Sequence, residues 1–370
     1  MGTIKQNFAN NVETGGTFDA QDLTGTIPAA NIANSSLSDI TTVPPTATGG
    51  DLIQSVASDP PAPDFGDIWY NSTEQKIKLK TLGAGSWATG GSLNQARSHF
   101  QGGGGNSNSS ALAVAGYTGY YTNTESYNGT SWTEVNDVNT GKGFATTSGT
   151  QTSAINGGGA NPGGPLALAE SWNGTSWTEV SDLNQARNQL ASAGTDNTSA
   201  LIFAGYDPPI TFAAQTESWN GSSWTEVNDL NTARYVLAGA GTATSALAYG
   251  GDSSPPGYTA ETESWNGTSW TEVGDLNTAR FGIGSTNGSD NTSALAAGGE
   301  QPSVGVVAIT EQWNGTSWTE VADLSTSRYA IGGAGTTSSA IAFGGNNPGG
   351  SSNATEEWVV ATPNQSIQGS

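Results

Sequence analysis

The chain has no cysteine and one histidine, and only 10 of its 370 residues are Lys or Arg. Each shortage removes a class of function. Without cysteine there is no disulfide framework, thiolate metal site or cysteine nucleophile, and the redox compartment stays open. The few cations stand against 32 Asp and Glu, for a net charge of −22. Neither nucleic acid nor an anionic membrane is therefore expected as a partner, because both are bound by Lys and Arg that displace counterions from phosphates. No run of 18 apolar residues occurs, and the amino-terminal MGTIKQNFANNVETGG lacks an apolar core. A soluble protein that does not use an ordinary secretory signal is the expectation. Charged residues make up 11%, roughly half the usual ~25%, so the surface must be largely neutral. The 52 Gly and 15 Pro stay below the roughly 25 to 30% of a chain that marks low-complexity disorder.

What is present is a repeat. The unit E-S-W-N-G-T-S-W-T-E-V-x-D-L-N-x-A-R places its first glutamate at Glu125, Glu170, Glu217, Glu263, Glu311 and Glu356, in steps of 45, 47, 46, 48 and 45 residues. Its second tryptophan stands at Trp87, Trp132, Trp177, Trp224, Trp270 and Trp318. Ten residues after each comes a basic position: Arg97, Lys142, Arg187, Arg234, Arg280 and Arg328. Such a period suits a four-stranded blade. Within one copy the strands are Tyr235 to Gly241, Ser245 to Tyr249, Thr262 to Trp265 and Trp270 to Val273, with Asn266-Gly267 as a type I′ hairpin signal. One small sheet cannot bury both faces, so the units must pack face to face around an axis. The chain is expected to be all-β, a six-bladed propeller over residues 66–370. The copy that starts at Arg328 supplies only three strands, and a strand near Trp87 is expected to complete it, which removes an exposed edge.

A glycine pair after the second strand (Gly157-Gly158, Gly250-Gly251, Gly298-Gly299, Gly344-Gly345), then a tryptophan, then a basic residue opening the next blade, resembles the kelch repeat over residues 87 to 360. Ala115-Gly116 and Ala204-Gly205 replace the pair in two blades. Residues 1–65 read as an extended arm and linker, with Val43-Pro-Pro45 and Asp59-Pro-Pro-Ala-Pro63 blocking regular pairing. The phrase Leu23-Thr-Gly-Thr-Ile-Pro-Ala-Ala-Asn-Ile32, with Gly66-Asp-Ile-Trp-Tyr-Asn-Ser-Thr73, resembles attachment segments of tailed-bacteriophage fibre and appendage proteins. That resemblance implies a virion appendage that joins other virion proteins through residues 1–65, assembles as a homo-oligomer and meets a host surface polysaccharide or protein.

Chemistry is harder to find. A copper oxidase of the galactose-oxidase type shares such blades but needs more than the one imidazole of His99. The carboxylates that a glycosidase would require recur in series, as in Glu170, Glu179 and Asp182, and a residue present in every blade is structural before it is catalytic. The S-W-N-G-T-S-W run has an asparagine where the sialidase aspartate box has an aspartate. The tryptophan pairs fit cross-strand packing, and the Asn-Gly-Thr/Ser sequons are accounted for by the turn. No catalytic residue, cofactor or metal ligand is assigned. A glycosidase or a purely structural decoration of the particle remain the alternatives. The spacing from glutamate to the next basic residue is 17 in all five intact steps, whereas the segments after the glycine pair vary. Tyr117, Tyr120, Tyr121, Tyr206, Tyr258, Gln301 and Asn346 lie in those segments and are the candidate binding residues, because loops on a rigid scaffold carry recognition.

Overall fold

A computed structural model of the protein describes residues 54–60, 68–80, 84–117, 119–207, 212–253, 257–286, 290–361 and 364–367. Among them every regular element is a strand. The chain divides into two compact bodies, Met1–Ala84 with Val360–Ser370, and Gly85–Val359. In the first, Gln54–Val56, Ile68–Asn71, Lys76–Lys80 and Asn364–Ile367 form one sheet in that order. Asp59 organises it, accepting the indole N–H of buried Trp69 at 3.1 Å, the Asn71 amide at 2.8 Å and the Lys78 ammonium at 2.9 Å. Three of these strands, Ile68–Asn71, Lys76–Lys80 and Asn364–Ile367, lie within the residues 66–370 expected to form the ring but belong to this separate sheet, and the blades begin at Gly85. The arm expected over residues 1–65 lies, apart from 54–60, outside the described residues.

The second body is a ring of six sheets. Blade three, with Ala191–Asp196 innermost, then Ser199–Phe203, Thr216–Trp219 and Trp224–Val227 outermost, shows the plan. Blade six consists of Gly332–Thr336, Ser339–Phe343, Thr355–Val360 and, as its outermost strand, Gly85–Thr89. The ring is therefore closed by the strand that carries Trp87, as the repeat count requires, and no blade is left with an open outer position.

Two details of the hairpins differ from the sequence reading. The tryptophans face each other in register, as in Trp219 with Trp224, so the turn between them is a four-residue loop and not a two-residue type I′ turn. Only the glycine has positive φ, +88° at Gly221. The asparagine serves through its side chain, Asn220 Oδ1 accepting the N–H of Ser222 and Ser223 at 2.9 Å each, an Asx turn. In blade two the working glycine pair is Gly158-Gly159 and not Gly157-Gly158. Their φ values of +65° and +98° match +64° and +102° at Gly250 and Gly251, and Gly157 ends a strand. The alanines that replace the first glycine elsewhere adopt the same conformation, with φ +55° at Ala115 and +61° at Ala204.

Both tryptophans of a pair are buried, except that Trp87 in blade six is half-buried, and they do different jobs. The first donates its indole N–H to its own blade, as Trp265 does to the Ala243 carbonyl. The second reaches the preceding blade: Trp132 to Thr355, Trp177 to Thr124, Trp270 to Thr216, Trp318 to Thr262 and Trp87 to Thr310, all at 2.9 to 3.1 Å. Blade two has Ala169 in the threonine position, and Trp224 turns instead to the Ser181 carbonyl at 3.0 Å.

The basic residues also join blades. Arg234 Nη2 meets Glu263 Oε1 at 3.0 Å, while its Nη1 donates to the carbonyls of Gly250 and Glu261 in the same blade. Its own backbone bonds to the blade before: Arg234 N–H donates to the Ala213 carbonyl, and its carbonyl accepts from Gly205 N–H at 2.9 Å. The second carboxylate oxygen, Glu263 Oε2, accepts the backbone and side-chain N–H of Asn231. The pattern recurs at Arg97, Arg187, Arg280 and Arg328, and all six basic side chains are fully buried.

At the axis, inner strands are built from small residues. A Cβ on Gly239 would lie 2.6 Å from the Ser192 carbonyl oxygen, and one on Gly333 would lie 2.2 Å from that of Ser285, so these approaches between neighbouring blades require glycine. The short strand Gln101–Gly102 pairs in parallel with the innermost strand of blade two and lies against the innermost strands of blades three to six. The axis is filled by main chain.

Lys142 breaks the pattern: its ammonium stands 3.6 Å from Glu170 Oε1 and makes no hydrogen bond. Burial pushes its pKa down, and Glu170 opposes this. Lys142→Arg should raise stability by about 1–2 kcal/mol, because a guanidinium placed as in the other blades reaches the carbonyls of Gly158 and Leu168; chemical denaturation measures it. Glu263→Ala should lower stability by about 3–5 kcal/mol by leaving Arg234 buried and unpaired.

Candidate functional site

Strands in a blade alternate in direction, so the link into each innermost strand and the link from the second to the third strand emerge at the same end. There the residue after each basic position bridges to the residue after the glycine pair: Ser98 with Tyr117, Gly143 with Ala160, Asn188 with Tyr206, Tyr235 with Asp252, Phe281 with Glu300, and Tyr329 with Asn346. Six copies of one backbone joint thus carry almost wholly different side chains.

Two residues after each basic position the chain turns through positive φ: His99 (56°), Phe144 (60°), Gln189 (56°), Val236 (51°), Gly282 (66°) and Ala330 (53°). Left-handed backbone is costly for any residue with a Cβ and most of all for a β-branched one. It is held by a chain of peptide hydrogen bonds that runs around the ring. Gln189 N–H donates to Phe144, Val236 to Gln189, Gly282 to Val236, Ala330 to Gly282 and His99 to Ala330, at 2.6 to 3.0 Å. These six residues form a circular rim over the filled axis.

Aromatic side chains gather on this rim. Tyr120 and Tyr117 stand 5.3 Å apart between ring centroids, Tyr117 and Phe144 4.7 Å, Phe144 and His99 4.7 Å, His99 and Tyr329 6.1 Å, Tyr329 and Phe281 5.8 Å, and Phe281 and Tyr258 4.4 Å. All seven are partly exposed, and they make one continuous aromatic arc across blades one, two, six, five and four. A second group joins Tyr235 to Tyr206 at 6.1 Å and to Phe212 at 5.0 Å.

The structure therefore places Tyr117, Tyr120 and Tyr258 in the arc and Tyr206 in the second group. Asn346 reaches the arc through Tyr329, its Nδ2 lying 3.5 Å from the phenolic oxygen. Tyr121 contributes through its backbone, donating to the Gly116 carbonyl and accepting from Lys142 N–H. Gln301 does not join them; it is 8% exposed and sits in a short ribbon opposite Gly305. Sequence reasoning missed His99, Phe144, Tyr235, Phe281 and Tyr329. Aligning the six copies from their basic residues would have shown the two following positions changing in character while the next position stays apolar.

Charge on this face is one-sided. Every basic side chain of residues 85–359 is buried in its ion pair, whereas Asp207, Asp252 and Glu300 follow the glycine pairs. Burial raises the pKa of the Tyr235 and Tyr258 phenols, and the nearby carboxylates, Asp252 for Tyr235 and Glu300 with Asp252 for Tyr258, add to it. Desolvation lowers His99 to about 4, so the imidazole is neutral near pH 7. Of the recurrent carboxylates, the second glutamate, as at Glu179, is exposed, while the first glutamate and most of the aspartates have structural partners. Glu125, Glu217, Glu263, Glu311 and Glu356 hold arginines, and Asp137, Asp229, Asp275 and Asp323 accept the threonine N–H that opens the third strand. Among the described residues no three His, Asp or Glu come together as a metal site would require.

Fold and face together define a six-bladed β-propeller. Among solved structures it is similar to that of YjhT, at a TM-score of 0.58 and 14% identity, over 74% of this chain and 99% of that one; at this identity the likeness concerns the fold. The chain matches no protein-family model and none of the curated proteins.

His99 gives a measurable pH dependence. Its imidazole titrates at about 4 when folded, against an ordinary value of 6.5, so between those values the unfolded chain binds the extra proton. The stabilisation is complete above about pH 6.5 and is lost as pH falls towards 4. His99→Asn, which tolerates the left-handed backbone, should flatten the decline over this window by roughly 1–3 kcal/mol relative to the parent. Denaturant titrations at pH 7, 5.5 and 4 provide the check.

Proposed function

We propose that the protein is a non-enzymatic virion appendage of the tailed-bacteriophage type. Its kelch-like propeller displays one face for recognition of a host surface glycan or protein, and residues 1–65 attach it to other virion proteins. The observation that carries the recognition part is the distribution of differences among the six copies within this chain. The ion pair and the tryptophans recur nearly unchanged, and the Asn-Gly-Thr-Ser loops at the opposite end are almost identical. At the rim, by contrast, the residue after the basic position is Ser98, Gly143, Asn188, Tyr235, Phe281 or Tyr329. A scaffold that needs only to stand has no use for six different tops.

Strained backbone and clustered aromatics at the same place support the reading. The attachment part rests on the phrasing of residues 23–32 and 66–73. Catalysis is not part of the proposal, because the first glutamate of each repeat is engaged in the scaffold, the second recurs as an exposed residue in five blades, and a strand of main chain occupies the axis.

Purified protein should bind host cells and leave their surface polysaccharide at full length; a fall in polysaccharide size on incubation would replace this reading with a glycosidase. Replacing Tyr120, Tyr206 and Tyr258 together should abolish cell binding while the unfolding midpoint stays within a few degrees, and retained binding would remove the face assignment. Deleting residues 1–60 should prevent incorporation into particles without affecting cell binding.

A further inference from the structure

We infer that the aromatic arc is a seat for an uncharged saccharide chain lying across the face, an assignment that rests on the recognition reading above and names its ligand class. Four observations lead there. The first is the surface itself: partly exposed rings follow one another without a gap from Tyr120 to Tyr258, in steps of 4.4 to 6.1 Å. Sugar rings present C–H faces that stack on aromatic planes, and their hydroxyls meet phenols and amides at the edges, such as Tyr329 and Asn346.

The second is charge. Residues 85–359 contain 23 Asp and Glu and six basic residues, and all six bases are buried. No cation of this body faces solvent to receive a carboxylate, sulfate or phosphate, and Asp252 and Glu300 beside Tyr258 repel one. His99 adds no charge, being neutral near pH 7.

The third concerns protein partners. Interface hot spots are dominated by Trp, Tyr and Arg. Here the arginines are buried, and so are the tryptophans of this body other than Trp87. Among the described residues the face offers half-exposed polar groups such as Asn188, Gln189 and Ser351, and Val304 is the one strongly exposed large aliphatic side chain at this end. The fourth is the axis: Gln101–Gly102 and the small-residue inner strands fill it, which leaves the outer surface of the rim as the place where a chain can lie.

The test uses the full chain and a panel of oligosaccharides in calorimetry or on an array: neutral glucans, galactans and N-acetylhexosamine oligomers, against uronate-containing, sialylated, sulfated and phosphorylated ones, each at low and high salt. At least one neutral oligomer should bind, with affinity changing less than about twofold between the two salt conditions. Phe281→Ser and Phe144→Asn should each weaken it roughly tenfold with an unchanged near-ultraviolet circular dichroism spectrum; Ser86→Ala, on the outermost strand of blade six, should leave it unaltered. Salt-sensitive binding of anionic oligomers alone would overturn the ligand class and leave the recognition reading in place. Binding to host cells that survives periodate destruction of their glycans would assign the face to a protein and overturn the saccharide. Failure to bind host cells at all would overturn the recognition reading itself.

Discussion

The ring depends on one residue serving two blades. Each basic residue gives its side chain to its own blade and its peptide group to the blade before, so that neither sheet can shift without breaking a bond at the same Cα. In blade four the guanidinium ties the entering loop to Glu263 and two strand-end carbonyls, while the Arg234 peptide holds Ala213 and Gly205 of blade three. Buried ion pairs are weak sources of net stability, because desolvation offsets much of the attraction. Their value here is positional: a fully buried fork of donors can be satisfied in only one arrangement of strand ends, which fixes blade angle and loop entry together. The tryptophan–threonine bonds at five of the six junctions do the same from the outer strands.

Fixing the scaffold this firmly sets the rim free. Since the peptide groups of the entering loop are already held, the next two side chains differ from blade to blade, some buried as at Ser98, Val236 and Ala330 and others half-exposed as at His99, Phe144 and Tyr329. The same hydrogen bonds hold His99, Phe144, Gln189, Val236 and Ala330 in a backbone region that disfavours them. That cost is borne by the ring as a whole, and the result is that the half-exposed His99, Phe144 and Gln189 are presented from a rigid circle rather than from loose loops.

Much of this architecture could be read from the chain. The 45- to 48-residue steps, the three-stranded last copy and the orphan Trp87 together specify six blades and the strand that closes them, because closure leaves one arrangement only. The tasks of Glu263, Arg234 and the tryptophan pairs were legible as structural for the same reason, their recurrence. Local geometry was less so. Asn-Gly suggests a two-residue turn by propensity, but the tryptophans on either side of Asn-Gly-Ser-Ser pair directly, and the registry of the sheet prevails over the preference of the dipeptide. A run of three glycines at 157–159 cannot say which two turn the chain; the fixed bond to the next basic residue decides it. The face was half legible. Tyr117, Tyr120, Tyr206 and Tyr258 stand out as aromatics in variable loops, but Phe144 and Phe281 look like core residues beside a buried cation until the left-handed backbone of Phe144 and the bridge from Phe281 to Glu300 are seen to leave both half-exposed.

That turn also explains why function concentrates on one end of the propeller. At the opposite end each hairpin closes through an asparagine side chain bonded to its own loop, and the inner turns carry Asn108, Asn197 or Asn291 to the tryptophan carbonyls of the neighbouring blade. Those polar groups are consumed in joining blades, so change there loosens the ring. At the rim the joints next to the variable residues are made mainly by peptide groups, which every residue type but proline supplies. Variation is tolerated where the backbone does the work and resisted where side chains do, and a repeat protein acquires a binding face at the end whose joints are made of main chain.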